Sequence, residues 1–439
     1  MRGDDLLKKQ NGTLENERVL SVMRGERMKT EMKIGDYVKM IGPAIVMAAV
    51  VVGPGTVTTA SSMGSKYGYS LIWAAIVSSI CGLLFQVPAV SLTLKRGVTI
   101  MEAIRMYYGK NLARVLFFLI YICVCISQSA NFIGAAMALN YFVPSISLTV
   151  WAASMAGVAL IMVLFYDYRL LEKFTEVLVL IMVGAFLITM VGSHPSLSAI
   201  ASEGFSFRIP DGDYMLVLAL LSTTMIYDLP ISLSSLHKEK YLKPSSPYSK
   251  YPEDVKLKTA RIDLVVGSSV SCLLTVTIMI CSAVNLHPLG IQITNAADMA
   301  KQLTPIMGSY AGILFSLGLW GAAFSSGMFR MELLPMFIGQ MEDREYTKKD
   351  PVVRACILGV AVIPVLFIFL FGSSPAQMVI VSQAITGLLL PITCCVVWKI
   401  TGDRKFMGDA VNGTWFKVIF GIICILTLLL AGRTFSKWI

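Results

Sequence analysis

Residues 48–56 read Ala-Ala-Val-Val-Val-Gly-Pro-Gly-Thr and interrupt an apolar run that extends over residues 41–62. Proline removes a backbone donor and clashes with the preceding helical turn, and glycine loosens the helix further. The sequence therefore predicts a helix that is broken at Gly53-Pro54-Gly55. Residues 223–230, Thr-Thr-Met-Ile-Tyr-Asp-Leu-Pro, interrupt a second apolar run in the same way, with Asp228 and Pro230 near its middle.

The two broken runs belong to a chain that is too apolar to be soluble. Of its 439 residues, 56% are hydrophobic and only 15% are charged, whereas soluble domains contain about 45–50% apolar and about 25% charged residues. Disordered chains, collagens and coiled coils are excluded by the same balance. The long unbroken apolar runs also differ from the alternating segments of a membrane β-barrel. The chain is therefore predicted to be an all-α polytopic membrane protein.

The apolar runs, cut at charge clusters and turn residues, predict eleven membrane-spanning helices. They cover residues 41–62, 70–94, 113–140, 147–166, 174–193, 213–236, 262–284, 308–330, 352–371, 375–398 and 413–432. The first five (41–193) and the next five (213–398) form two halves, which have opposite orientations because five is odd. Broken helices in corresponding positions of inverted repeats are typical of a transport site near the membrane midplane. Two unrelated proline kinks are the alternative.

The loops predict the orientation of the chain. With the N-terminus inside, the outer segments contain only Lys66, Arg208, Lys301, Arg433 and Lys437 of the 37 lysines and arginines. The others face the cytoplasm, as the positive-inside rule requires. We therefore expect a multi-pass protein of the cell membrane with its C-terminus outside. This bias accounts for the net charge of +10, so the charge does not indicate nucleic-acid binding.

Three regions follow from this layout. Residues 1–38 are polar and of mixed charge, and they are predicted to form a cytoplasmic tail. Residues 39–439 are predicted to form one transmembrane transporter domain. Within this domain, the eleventh helix at 413–432 follows the two repeats.

Polar groups near the two breaks are the candidate site residues. Unwound backbone leaves carbonyl oxygens unpaired in the membrane, and a cation can satisfy them. On the first span, the carbonyl of Gly53 and the hydroxyl of Thr56 are candidates. On the sixth, Asp228 is an intramembrane acid and indicates function, with a structural cap as the alternative. Gln383 on the tenth span could supply an amide oxygen or an interhelical hydrogen bond.

Other titratable residues have simpler interpretations. Asp263 is expected to form a salt bridge with Arg261 at the cytoplasmic end of the seventh span. The three histidines, His194, His237 and His287, are expected in loops. The HExxH, GxSxG and Walker patterns are absent from the sequence, so neither proteolysis nor ATP-driven pumping is indicated. The chain is not expected to be an enzyme.

At these motifs, the sequence resembles the natural-resistance-associated macrophage protein (NRAMP) family of divalent metal transporters, over residues 36–432. Gly53-Pro54-Gly55-Thr56 is similar to the family's Asp-Pro-Gly-Asn motif. The segment 219–236 is similar to the one that holds its Met-Pro-His, and Ser382-Gln383 resembles its tenth helix. The resemblance implies eleven helices with inverted five-helix repeats of the LeuT type, in agreement with the spans above.

The departures from the family pattern concern its metal ligands. The resemblance places the family's metal-binding Asp on Gly53 and its Asn on Thr56. The metal-binding Met falls on Ile226, the neighbouring Pro on Tyr227 and the His on Asp228. Loss of the thioether removes the soft ligand that favours transition metals. Neutral oxygens and one carboxylate remain, and these suit Mg²⁺, which usually keeps several of its waters.

The acids of the family's third helix, which are associated with proton passage, fall on Gln128 and Asn131. The whole pattern resembles the NRAMP-related magnesium transporters. It implies uptake of hydrated Mg²⁺, with Mn²⁺ also permitted, by alternating access without proton coupling. The ion is substrate rather than cofactor, and no obligate protein partner is expected beyond the lipid bilayer. The alternatives are a proton-coupled transition-metal transporter, a carrier of an organic solute such as an amino acid, and a membrane sensor that does not transport.

Overall fold

The computed structural model describes residues 53–166, 169–371, 374–408 and 411–436. The predicted tail, 1–38, and residues 41–52 of the first predicted span lie outside these ranges. The described residues form helices joined by turns and loops, with no β-strand among them. Ten helical segments in this part of the chain are long and apolar enough to cross a membrane. The predicted all-α fold with many spans is confirmed, and the total of eleven spans and the orientation stay predictions.

The helices that correspond to the predicted spans are numbered α1 to α11, with a and b for the two halves of an interrupted helix. Their bounds are Pro54–Tyr67 (α1), Ile72–Arg96 (α2), Lys110–Phe142 (α3), Leu148–Phe165 (α4), Arg169–Gly192 (α5), Tyr214–Thr224 (α6a), Leu229–Leu242 (α6b), Glu253–Asn285 (α7), Ala311–Glu342 (α8), Pro351–Phe371 (α9), Pro375–Gly387 (α10a), Leu390–Gly402 (α10b) and Thr414–Phe435 (α11). The connections include the short helices Ile100–Tyr108, Leu197–Glu203, Ala296–Ala300, Thr304–Met307 and Arg404–Met407.

The sixth helix is interrupted where the sequence predicts it. Helix α6a ends at Thr224 and α6b begins at Leu229. Pro230 has no N–H to donate to the carbonyl of Ile226, and its ring clashes with that carbonyl in a continuous helix. The carbonyl of Ile226 instead accepts a hydrogen bond from the amide of Leu229 at 3.1 Å. The break confirms the prediction made from the Asp-Leu-Pro sequence.

Helix α1 begins at the other predicted break. Gly53 is its N-cap in an extended conformation, and Pro54 occupies the first helical turn. Proline is favoured there because the first amides of a helix have no intrahelical acceptor. The Gly-Pro-Gly sequence therefore starts a helix within the predicted span, and residues 41–52 before it lie outside the described ranges.

The tenth helix contains a third interruption that the sequence analysis did not predict. The span predicted at 375–398 is divided into α10a and α10b, with Leu388 and Leu389 between them. Pro391 lies four residues after Gly387, so it cannot donate to the carbonyl of Gly387 and disfavours a continuous helix. The amides of Leu388 and Leu389 form tighter turns to Ile385 and Thr386 instead.

Helix α8 extends well beyond the span predicted at 308–330. It begins at Ala311 and continues to Glu342, where Asp343 ends it in a left-handed conformation with φ of 62°. The predicted span ends at the charged residue Arg330. The residues after it are again mostly apolar and helical, so Arg330 lies inside the helix.

Burial separates central helices from peripheral ones. In the most apolar window of the α6a–α6b segment, 94% of the residues are buried, compared with 28% in α4 and in α11. The peripheral helices expose large apolar side chains such as Phe165, Leu180, Phe369 and Leu428. Exposed apolar side chains on these helices suit contact with lipid. The broken sixth helix therefore lies at the centre of the fold.

Two sequence expectations at the C-terminal end of α6b are wrong. His237 lies within α6b and is fully buried, rather than in a loop. Asp263 is also fully buried, and its Oδ2 is 3.7 Å from Nε2 of His237, whereas Arg261 is exposed. Arg261 and Asp263 lie two positions apart on α7, so their side chains point to different faces of the helix. The contact of Asp263 with His237 depends on how α7 packs against α6b, which the sequence does not show.

The packing of α1 on α7 depends on the missing side chain of Gly64. A Cβ atom added there would lie 2.3 Å from the carbonyl oxygen of Met279. We expect Gly64→Ala to force the helices apart, to cost about 1–3 kcal/mol of folding free energy and to lower the melting temperature in detergent.

The matched control is Gly157→Ala on α4, where an added Cβ meets no atom within 4 Å. This substitution removes only the flexibility of glycine, so the melting temperature should stay the same or rise. Equal melting temperatures for the two variants would contradict the close packing of α1 on α7.

Candidate functional site between the broken helices

A small polar cavity lies where the start of α1 meets the break of the sixth helix and the last turns of α10a. Its lining comprises Gly53, Gly55, Thr56, Ser127, Asn131, Thr223, Ile226, Ser326, Arg330 and Gln383. Its volume of about 30 Å³ is similar to the roughly 30 Å³ that one water molecule occupies in the liquid.

The structure brings together most of the residues predicted from the sequence. Gly53, Thr56, Ile226 and Gln383 line the cavity, and so does Asn131 from α3. The side chain of Gln383 lies against α1, since a Cβ added to Gly55 would be 2.5 Å from Nε2 of Gln383. The amide can approach the first turn of α1 this closely because Gly55 has no side chain.

Asp228 is not among the lining residues, and this corrects the expectation that its carboxylate faces the site. Its Oδ2 is 3.4 Å from Nη1 of Arg330 on α8. The Asp228 side chain is 7% exposed and that of Arg330 is 13% exposed. The same Nη1 donates to the hydroxyl of Tyr227, also at 3.4 Å. The carboxylate is thus paired with a guanidinium, and the guanidinium lines the cavity.

Arg330 lines the cavity, and the sequence analysis did not predict it as a site residue. An intramembrane acid raises the question of its counter-charge, because unpaired charges are costly in the membrane. The sequence contained two signals: a single basic residue between two apolar stretches, and helix-compatible residues continuing after it. A search for basic residues inside apolar runs would have identified Arg330 as a charge within the membrane, although not as the partner of Asp228.

The two amides at the family's acid positions form a hydrogen-bonded chain. Nδ2 of Asn131 donates to Oε1 of Gln128 at 2.9 Å, and Nε2 of Gln128 donates to the carbonyl of Gly327 at 3.1 Å. Gln128 is fully buried. An added Cβ at Gly327 would be 2.9 Å from Nε2 of Gln128, so glycine is what lets α3 and α8 approach. Neither amide can gain or lose a proton near neutral pH.

The electrostatics of the site are close to neutral. Among the described lining residues, Arg330 is the charged one, and its charge is balanced by Asp228 behind it. The positive end of the α1 dipole adds to the potential at Gly53. Within the described residues, no group of three or more His, Cys, Asp or Glu is placed to hold a metal ion. A cation here would depend on neutral oxygens and the Asp228 carboxylate.

A second, larger cavity of about 900 Å³ lies beside the ends of α6b and α8. Its lining includes Glu102, Lys238, Glu332 and Lys348. Lys238 pairs with Glu102 at 2.7 Å, and Lys348 pairs with Glu332. This wide, charged vestibule lies on the side that the Lys and Arg distribution predicts to be cytoplasmic.

A helical membrane protein with a polar cavity among interrupted helices has the architecture of secondary transporters. The sequence matches the family described as natural resistance-associated macrophage protein-like over residues 44–437, and the chain belongs to this family. It is a multi-pass membrane transporter and not an enzyme.

The relatives and neighbours agree with this assignment. The divalent metal cation transporter MntH of Caldanaerobacter subterraneus subsp. tengcongensis is 22% identical over 423 residues, which cover 94% of this chain and 97% of that protein. The MntH of Listeria monocytogenes is 27% identical over 400 residues, covering 88% and 86%.

Solved structures show the same fold. The manganese transporter of Eremococcus coleocola superimposes with a TM-score of 0.72 at 17% identity, covering 89% of this chain and 84% of that chain. Mhp1, a nucleobase-cation-symport-1 family transporter in a closed conformation, gives a TM-score of 0.59 at 15% identity, covering 91% and 92%. At these identities the likeness concerns the fold alone.

The buried pair can be tested through stability. Asp228→Asn leaves the Arg330 guanidinium without a counter-charge, and breaking a buried pair costs about 3–5 kcal/mol. We expect a large fall in melting temperature, and recovery of most of it in the double variant Asp228→Asn/Arg330→Met.

The control is Glu239→Gln, which breaks an exposed pair with Lys243 at 3.1 Å and should change stability by less than about 1 kcal/mol. If Asp228→Asn were as stable as Glu239→Gln, the two residues would not form a pair in the folded protein.

Proposed function

We propose that this chain transports a divalent cation by alternating access through the cavity between α1, the sixth helix and α10a. Family membership and the metal-transporting relatives support the substrate class. The observation that carries the proposal is the lining of the cavity by oxygen-bearing groups at Gly53, Thr56 and Gln383. Oxygen ligands are those that Mg²⁺ and Mn²⁺ prefer in proteins.

Mg²⁺ is the proposed physiological ion, and Mn²⁺ should also be accepted. Ile226 lines the cavity where the resembling family has its methionine, and an alkyl side chain coordinates no metal. Without a soft ligand, the site lacks the thioether that favours transition metals over Mg²⁺. Tyr227 and Asp228 lie behind the lining, where both contact Arg330. A bridging water would connect them to an ion in the cavity.

The hydrated ion is larger than the cavity. Six waters around Mg²⁺ occupy about 180 Å³ at roughly 30 Å³ each, whereas the cavity holds about 30 Å³. The hydrated ion therefore enters only in an opened conformation, or after losing some of its waters. The large vestibule beside α6b and α8 is the proposed inner access to the site. This arrangement is consistent with alternating access.

Transport is proposed to be uncoupled from protons. Gln128 and Asn131 occupy the positions of the family's third-helix acids, and their hydrogen-bonded chain contains no titratable group. The membrane potential is a sufficient driving force, since a divalent ion crossing 100 mV gains about 4.6 kcal/mol. The proposal places the protein in the cell membrane with its N-terminus inside and its C-terminus outside.

The proposal is tested with purified protein in liposomes that contain a pH-sensitive dye. An inward-negative potential should drive Mg²⁺ and Mn²⁺ uptake with no acidification of the lumen beyond that of protein-free liposomes. Acidification in step with metal uptake would contradict the uncoupled mechanism. Absence of metal uptake under these conditions would contradict the transport of divalent cations.

A second candidate substrate is an organic solute with a carboxylate group, such as an amino acid. The observation that favours it is the Arg330 guanidinium in the cavity lining, beside the N-terminal end of α1. Guanidinium groups and helix N-termini both bind carboxylates. Asp228 lessens this preference because it neutralises the guanidinium.

Thermal stability distinguishes the two substrates. If a carboxylate solute is the substrate, a panel of amino acids and small organic acids should raise the melting temperature, and Arg330→Gln should abolish the shift. On the proposed function, Mg²⁺ and Mn²⁺ raise the melting temperature and no member of that panel does so. A shift with a carboxylate and none with metal would favour the second candidate.

A further inference from the structure

Arg330 is a positive charge at a site proposed for a positive ion, so its presence needs a physical reason. Its side chain is 13% exposed and contacts both Tyr227 and Asp228 from α8. A fixed guanidinium in the cavity lining would repel an entering divalent cation at low dielectric. A guanidinium that is held loosely can move aside when a cation enters, so the strength of its contacts decides its role.

The contacts of Arg330 are long. Its Nη1 is 3.4 Å from Oδ2 of Asp228 and 3.4 Å from the Tyr227 hydroxyl, whereas charge-assisted hydrogen bonds are usually about 2.7–2.9 Å. Arg114 and Glu342 provide the comparison within the same molecule. They form two parallel hydrogen bonds of 2.7 and 3.0 Å. The Asp228–Arg330 pair has one long contact, and this is the geometry of a pair that can separate.

We propose that Arg330 is a tethered cation that occupies the place of the transported ion beside Asp228 when the site is empty. This inference rests on the proposed function. The guanidinium neutralises a carboxylate that would otherwise be unpaired in the membrane. An entering divalent cation attracts the carboxylate more strongly than the single guanidinium charge does, so it displaces the guanidinium.

Competition of this kind makes Arg330 a specificity-determining residue. A monovalent ion carries no more charge than the guanidinium and has no advantage over a competitor that is already tethered in place. A divalent ion does have that advantage. The pair therefore selects ions by charge, and the neutral oxygens of Thr56 and Gln383 select them by ligand type.

The same exchange would let the empty carrier change conformation. A carrier that is not coupled to protons must return to the outside without cargo. An uncompensated Asp228 would oppose the closure of the site during this return. With Arg330 paired to it the empty site is neutral, as it is in the structure described here. Net uptake then requires Arg330, whereas exchange of metal for metal does not.

The test compares Arg330→Gln with wild-type protein in liposomes, using radioactive Mn²⁺. The KM of the variant for Mn²⁺ uptake should be about tenfold lower than that of wild type, because the competing guanidinium is gone. Na⁺ and K⁺ should inhibit the variant and not the wild type. Net uptake should fall while Mn²⁺–Mn²⁺ exchange persists. Arg330→Lys keeps a cation and should stay close to wild type, and Arg354→Gln removes an exposed arginine from α9 as the control for lost charge.

Different failures identify different errors. If wild type transports Mn²⁺ and Arg330→Gln has unchanged affinity and unchanged net uptake, the tethered-cation inference is wrong and the proposed function stands. If neither wild type nor any variant transports Mn²⁺ or Mg²⁺, the proposed function is wrong and the inference with it.

Should Arg330→Gln fail to fold, a wild-type crystal structure with bound Mn²⁺ gives the answer. Nη1 of Arg330 should then lie farther from Asp228 than the 3.4 Å of the ion-free site. An unchanged pair beside a bound ion would overturn the inference.

Discussion

The backbone groups that lose their regular helical partners at the interruptions constrain the whole arrangement. Pro230 deprives the carbonyl of Ile226 of its helical partner, and Pro391 does the same to the carbonyl of Gly387. Each unsatisfied group costs several kcal/mol in hydrocarbon, so the breaks must lie inside the protein among polar groups. Glycines make the approach possible. Gly134 admits Pro54, and Gly82 admits the carbonyl of Thr224 at the end of α6a. The carbonyl-bearing residues Gly53 and Ile226 at two of the breaks line the polar cavity.

The parts of this arrangement that the sequence predicted are those with a local cause. The start of α1 at Gly53-Pro54 and the break at Asp228-Pro230 follow from missing donors and steric clashes within a few residues. Most of the predicted site residues line one cavity because these two places meet. The break before Pro391 has the same cause but was missed, because Pro391 lies within a long apolar run that read as one continuous span. Its neighbours Leu388 and Leu389 give no sign of an interruption.

What the sequence could not show are pairings between distant residues. Arg330 was assigned to the end of a span because a charge usually marks the end of an apolar run, whereas α8 continues to Glu342. The pairing of Arg330 with Asp228 and the close approach of His237 to Asp263 depend on which helix faces meet. A sequence gives the spacing along one helix, but the rotation of one helix against another is set by packing.

The charge balance of the site underlies the proposed mechanism. The resemblance places the family's acids on Gly53, Gln128 and Asn131, and the acid beside the site, Asp228, is paired with Arg330. In a site with no net charge, a cation binds Asp228 only if the Arg330 guanidinium moves away from it. A carboxylate binds Arg330 only if Asp228 moves away. We propose that a divalent cation displaces the guanidinium and that this cation crosses the membrane without a proton.

The most direct test is the reversal potential of Mn²⁺ flux in liposomes at several fixed pH gradients. Our account predicts that net flux vanishes at the Nernst potential of a divalent ion, with two elementary charges moved per Mn²⁺, and that the pH gradient does not shift this potential. A potential that moves with the pH gradient, or more than two charges per ion, would contradict it.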